Sequence, residues 1–178
     1  MSDNSHKAPG KNLGQGMLIA SFSLALIALT VYFDGWLDNQ RNPNQTPASY
    51  ETDTGNREVV LQRNRQGHYV AGGSINGIPV TFLLDTGATD VAIPENIARS
   101  AKLTAGYAGQ AATANGIVTV YATQVNELSI GNITLNNVAA SITPSMPGDT
   151  ILLGMSALKQ IEFTQRGETL TLRQLAQL

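Results

Sequence analysis

The longest apolar run lies near the N-terminus, where Met17 to Phe33 read MLIASFSLALIALTVYF without a charge or a proline. Taken back to Leu13 it comprises about 20 residues, the length a helix needs to cross ~30 Å of hydrocarbon. It has no polar face, which argues against a helix buried in a soluble core. It exceeds the roughly 7–15 apolar residues of a cleaved signal peptide, and Val31-Tyr32-Phe33-Asp34-Gly35-Trp36 offers no small-x-small site. The pattern predicts an uncleaved transmembrane signal anchor over residues 13–33. Lys7 and Lys11 precede it and Asp34 and Asp38 follow it. Positive flanks stay inside, so residues 1–12 are expected in the cytoplasm and the rest outside the inner membrane, in the periplasm. Residues 34–57 are expected to be a flexible linker: Asn39 to Arg57 contain no Val, Ile, Leu, Phe or Met, too little apolar surface to order a segment.

From Glu58 onward short apolar runs alternate with turn residues, which predicts an all-β domain over residues 58–178. Candidate strands are Glu58–Asn64, His68–Ile75, Ile78–Leu84, Thr104–Ala112, Ile117–Val125, Glu127–Ile130, Ile133–Leu135, Val138–Thr143, Thr150–Leu153, Ile161–Gln165 and Thr169–Leu172. Asn76-Gly77, Asn115-Gly116 and Gly131-Asn132 stand between apolar runs and mark hairpins. Pro94–Arg99 and Met155–Gln160 read as short helices. A faint repeat relates Ser74-Ile75-Asn76-Gly77-Ile78-Pro79-Val80 to Ser129-Ile130-Gly131-Asn132-Ile133-Thr134-Leu135.

Composition narrows the chemistry. Net charge is -2 with 13% charged residues and no basic tract, which gives no footprint for a nucleic acid partner. The chain has no cysteine, excluding thiol catalysis, disulfides and cysteine-held metal. Its two histidines, His6 and His68, lie far apart, so no metal site and no cofactor is expected. No Gly-x-Ser-x-Gly elbow is present, which disfavours a serine hydrolase.

One segment carries a candidate reaction centre. In Leu83-Leu84-Asp85-Thr86-Gly87-Ala88 an acid emerges from an apolar strand into a loop that Gly87 allows to be tight. Farther on come the hairpin Thr113-Ala114-Asn115-Gly116-Ile117 and the apolar run Ile151-Leu152-Leu153-Gly154-Met155-Ser156-Ala157-Leu158. In this order and spacing the chain, over about Glu58–Leu178, resembles the retropepsin-like aspartic proteases, most closely the single-domain, membrane-anchored bacterial type. The resemblance implies a closed acid-protease β-barrel with one or two short helices behind the transmembrane helix. It implies Asp85 as the catalytic carboxylate, Thr86 bracing the active-site loop, Gly87 presenting backbone to substrate, and Ala88 completing that loop. Thr113, Ala114, Asn115, Gly116 and Ile117 would form a flap tip over a bound peptide. Gly154 would let the second apolar strand pass close behind the loop. Leu83, Ala88, Ile117 and Leu152 are apolar groove candidates. Asp90 reads either as a residue near the groove or as a solvated turn acid, and the flap equally as a plain hairpin.

Acid-protease chemistry requires two carboxyl groups about 3 Å apart that share a proton. With one Asp-Thr-Gly in the domain over residues 58–178 (a second, Asp53-Thr54-Gly55, precedes it), the resemblance implies a homodimer with an Asp85 from each subunit on the two-fold axis, acting on a peptide or protein substrate. Where some relatives carry a serine, Ala88 offers no hydroxyl to the carboxylate, so a mildly acidic to neutral working range is expected. The chain departs from the viral pattern at Thr89 and Met155, where an acid and an arginine would form an ion pair; both partners are missing together. The alternative is a catalytically inactive peptide-binding or scaffolding module that kept the fold.

Overall fold

The computed structural model describes residues 11–113 and 116–176, and side chains from Gly14 onward. The chain divides into two compact units, Met1–Asp38 and Asn39–Leu178. The first is dominated by helix α1 (Lys11–Arg41); its most apolar 18 residues, within Gly14–Arg41, have a mean hydropathy of 2.1, and its apolar side chains are left uncovered. By length and composition α1 can cross a membrane, and a membrane anchor or a signal sequence both fit it. The helix continues past Phe33 because residues 34–41 contain no proline; Pro43 then bars Asn42 from helical geometry.

In the second unit, alternating residues pair into strands β1 (Ala48–Glu51), β2 (Arg57–Gln62), β3 (Val70–Ile75), β4 (Ile78–Leu84) and β5 (Val91–Pro94). Helix α2 (Glu95–Ser100) follows, then β6 (Ala108–Thr113), β7 (Gly116–Ile130), β8 (Ile133–Thr143) and β9 (Thr150–Leu153). The one-turn helix α3 (Met155–Leu158) leads to β10 (Glu162–Arg166) and β11 (Thr169–Gln174). A four-stranded sheet runs β1-β2-β11-β10, and a seven-stranded one β3-β4-β9-β5-β8-β7-β6. Strand β7 also pairs with β3, at Ser74↔Ser129 and Ile75↔Leu128, so six strands follow one another back to the first. The two similar hairpins therefore meet, with Ser74 Oγ 2.8 Å from Ser129 Oγ.

One apolar core fills the body, including Leu61, Ile75, Phe82, Ile93, Leu128, Ile151, Leu153, Leu158 and Leu172, each fully buried. At the β3–β4 turn both Asn76 (φ 47) and Gly77 (φ 77) take positive φ, the requirement of a type I′ hairpin.

Three expectations about elements are corrected. The expected strands 117–125 and 127–130 are one strand, β7, as are 133–135 and 138–143 in β8. Asn137 does take a positive φ of 53, but β7 and β8 hold the same register on both sides of it. Strand β6 starts at Ala108 rather than Thr104, and α3 ends at Leu158 rather than Gln160.

The largest correction concerns the linker. Part of the segment expected to be flexible is folded into the body. Asn44 is 5% exposed; its side-chain amide donates to Gln62 O (2.9 Å) and Val70 O (2.7 Å), and its Oδ1 accepts from Gln62 N (2.7 Å). Gly72 N donates to Asn44 O, and Ala48–Glu51 pair antiparallel with Arg57–Val60. A count of apolar residues missed this because the segment is held by amide and backbone hydrogen bonds rather than apolar burial.

Candidate active site

Strand β4 delivers Asp85 to a loop (85–90) that leads into β5. The entry is held by the parallel pairing of β4 with β9, with Leu83↔Leu152 and Leu84↔Leu153, and by Asp85 N donating to Leu153 O (3.1 Å). The aspartate then shapes its own loop. Its Oδ1 accepts from Gly87 N (2.9 Å), and its carbonyl accepts from Ala88 N (3.2 Å). This is the local turn that a short acidic side chain makes with the backbone two residues on. Asp85 and Ala88 are half-buried, whereas Thr86, Gly87, Thr89 and Asp90 are exposed, so the loop's tip faces solvent. Among the described residues the carboxylate has no ion-pair partner, and its hydrogen bond comes from its own loop.

The back of the loop is built by the start of α3. Gly154 is buried there, and a Cβ on it would lie 2.2 Å from Asp90 O and 2.7 Å from Ala88 O. Met155 N donates to Ala88 O (2.8 Å) and Ser156 N to Thr89 O (2.9 Å). The first amides of a helix lack partners within it, and here they take up the carbonyls of the loop. The positions of the absent acid and arginine, Thr89 and Met155, are thus joined to the neighbouring chain through backbone bonds that carry no charge.

The structure brings Asp85, Thr86, Gly87, Ala88, Asp90, Leu152 and Gly154 into one cluster around this loop. Leu152 pairs with both Leu83 and Ala92 and is half-buried. Thr113, Gly116 and Ile117 stand apart from it on the β6–β7 hairpin. That hairpin is separated from β4 by β3 in one direction and by β9, β5 and β8 in the other. Thr113 pairs with Gly116 and its hydroxyl donates to Gly116 O (2.8 Å), while Ile117 is 73% exposed. Ala114 and Asn115 lie outside the described residues. No group of three or more potential metal ligands occurs among the described residues. Sequence reasoning gave Ser156 no place beside this loop; its signal was a single hydroxyl in the apolar run from Ile151 to Leu158.

Residues 71–160, half of the chain, match the family described as "gag-polyprotein putative aspartyl protease", and the chain belongs to that family. Its fold is that of a retropepsin-like aspartic protease. The crystal structure of a retropepsin-like aspartic protease from Rickettsia conorii is 26% identical with a TM-score of 0.55, over 64% of this chain and 97% of that one. EIAV protease complexed with the inhibitor HBY-793 is 20% identical with a TM-score of 0.45, over 56% of this chain and 92% of that one. A Sinorhizobium protein named "Uncharacterized protein in cobV 5'region" is 34% identical over 131 residues, 71% of this chain. The chain spans 56% of that relative's length.

Proposed function

We propose that the chain is an aspartic endopeptidase in which two Asp85 carboxylates, one from each subunit of a homodimer, activate a water molecule. The observation that carries this reading is a lone aspartate held by its own loop at a solvent-facing turn, in the one Asp-Thr-Gly of the segment 71–160 that matches the aspartyl protease family; the chain's other such triplet, Asp53-Thr54-Gly55, lies outside that segment, between β1 and β2. One ionised carboxylate would take a proton from water as it attacks the scissile carbonyl; the other, protonated, would donate a hydrogen bond to that carbonyl's oxygen. The tetrahedral intermediate collapses when a proton passes to the leaving amine. Thr86, Gly87 and Ala88 frame the carboxylate. Leu152 and Asp90 border the groove, and the β6–β7 hairpin, which stands apart from the loop in this structure, would close over the bound peptide. In this reading α1 anchors the chain in the inner membrane, with the body in the periplasm.

The test is peptide cleavage by the full chain in detergent, as wild type and as Asp85→Asn. Removing the ionisable acid keeps the shape and the Gly87 hydrogen bond but removes the general base, a loss of about 10²–10⁴-fold in rate. Cleavage by Asp85→Asn within a few-fold of wild type overturns the assignment.

A further inference from the structure

The loop that carries Asp85 has two ends, and they are held differently. The entry is held by the β4–β9 ladder and the Asp85 N to Leu153 O bond. The exit leads into β5, whose parallel pairing with β8 starts at Val91↔Ala140. At that first rung Val91 N donates to Ser156 Oγ (3.1 Å), and the same hydroxyl donates to Ala139 O (2.7 Å). The hydroxyl is thus inserted between β5 and β8, accepting from one and donating to the other. Its backbone amide meanwhile donates to Thr89 O (2.9 Å). Ser156 is 6% exposed, so water has little access to replace these bonds.

Building on the protease reading above, we propose that Ser156 is a positioning residue for Asp85. It fixes the loop's exit as β9 fixes its entry, and the carboxylate is aimed only while both ends are held. Serine suits the place because the site needs a group that both donates and accepts within a small buried volume. Alanine would leave Val91 N and Ala139 O without the bridging hydroxyl in a buried site. The backbone bonds from Met155 N to Ala88 O and from Ser156 N to Thr89 O would remain, but the start of β5 would lose its tie through the hydroxyl to β8, letting the loop's exit shift and moving Asp85 and Thr86 relative to the second copy of the chain. Displacements of about 1 Å at a reacting group cost on the order of 10²-fold in rate. The brace is uncharged, since the hydroxyl joins backbone groups and Thr89 and Met155 carry no charge. Neither salt nor pH should loosen it.

The test uses the full chain in detergent with fluorescently labelled unfolded casein as substrate. It compares wild type, Ser156→Ala, Ser156→Thr and Asp85→Asn, and also measures amide exchange. Ser156→Ala should lower kcat by roughly 10–100-fold with KM within about twofold. Exchange should quicken at residues 86–91 while β2, β8 and β11 stay protected. Ser156→Thr, which keeps the hydroxyl, should restore kcat to within about threefold of wild type. A wild-type kcat in Ser156→Ala, or protection lost evenly across the body, overturns the proposal. Should Ser156→Ala fail to fold, Ser156→Cys takes its place, with near-native volume and a much weaker hydrogen bond. It must then lose kcat while keeping its melting midpoint; an unchanged kcat overturns the proposal. Activity in Asp85→Asn would instead remove the protease reading, and exchange at residues 86–91 would still decide whether Ser156 holds the loop.

Discussion

Replacing Gly154 with alanine adds one carbon at the tightest point behind the Asp85 loop. That carbon would lie 2.2 Å from Asp90 O and 2.7 Å from Ala88 O, shortfalls of 1.2 and 0.7 Å against the 3.4 Å at which ordinary contact begins. Backbone conformation is not the obstacle, because Gly154 has φ -87 and ψ -173, which any residue adopts. The obstacle is space, and the obstructing atoms are backbone carbonyls. Ala88 O already accepts from Met155 N, so relief requires the loop or α3 to shift and that bond to lengthen. Overfilling a packed site costs about 1–3 kcal/mol. For a body of about 140 residues, each kcal/mol lowers the melting midpoint by roughly 3–5 °C, so a fall on the order of 3–15 °C is expected. Gly167→Ala is the control: φ there is 58 with nothing within 4 Å of the added carbon, so its cost is conformational only, about 1–2 kcal/mol. The assay is thermal melting of the full chain in detergent, read in the β-sheet circular dichroism band, with amide exchange to locate the damage. Gly154→Ala should quicken exchange at residues 86–91 and Gly167→Ala should not. A Gly154→Ala chain that melts within a degree or two of wild type, with the loop still protected, would refute the reasoning.

Two further outcomes follow. Mixing wild-type chains with an equal amount of Asp85→Asn chains should reduce activity per wild-type chain to about half, because a shared site forms in proportion to the square of the wild-type fraction; activity unaffected by the mixing counts against a shared site. Asn44→Ala removes three side-chain hydrogen bonds to Gln62 and Val70 and should destabilise the body by about 2–4 kcal/mol, since several buried partners lose their bond at once; denaturant unfolding with an unchanged midpoint would show the attachment to be dispensable.

Local pattern revealed most of the strands, because a half-buried strand alternates and its turns need residues that tolerate positive φ. The Asn76-Gly77 hairpin and the emergence of Asp85 from Leu83-Leu84 were legible for that reason. The parallel pairing of β4 with β9 was not, because it joins Leu83 to Leu152 across nearly seventy residues and leaves no local trace. Asn126 and Asn137 read as breaks, yet β7 and β8 run through them because pairing on either side holds the chain. The seating of Asn44 depends on backbone groups of Gln62 and Val70 that its own composition cannot announce. Ser156 was visible as an odd hydroxyl in an apolar run, but its task depends on Val91 and Ala139 reaching it from two other strands.

The meeting of the two hairpins at Ser74 and Ser129 also marks one place where the circle of strands is thin. Two residue pairs join β3 to β7, against six between β3 and β4 and nine between β7 and β8. Parting at this short seam unrolls the circle into an open sheet while every other ladder stays intact, and it wets Ile75 and Leu128. The ring has one joint shorter still, the single pair Ala92↔Leu152 between β5 and β9, and that joint lies beside the Asp85 loop, so one of the two places where the circle is thinnest adjoins the candidate site.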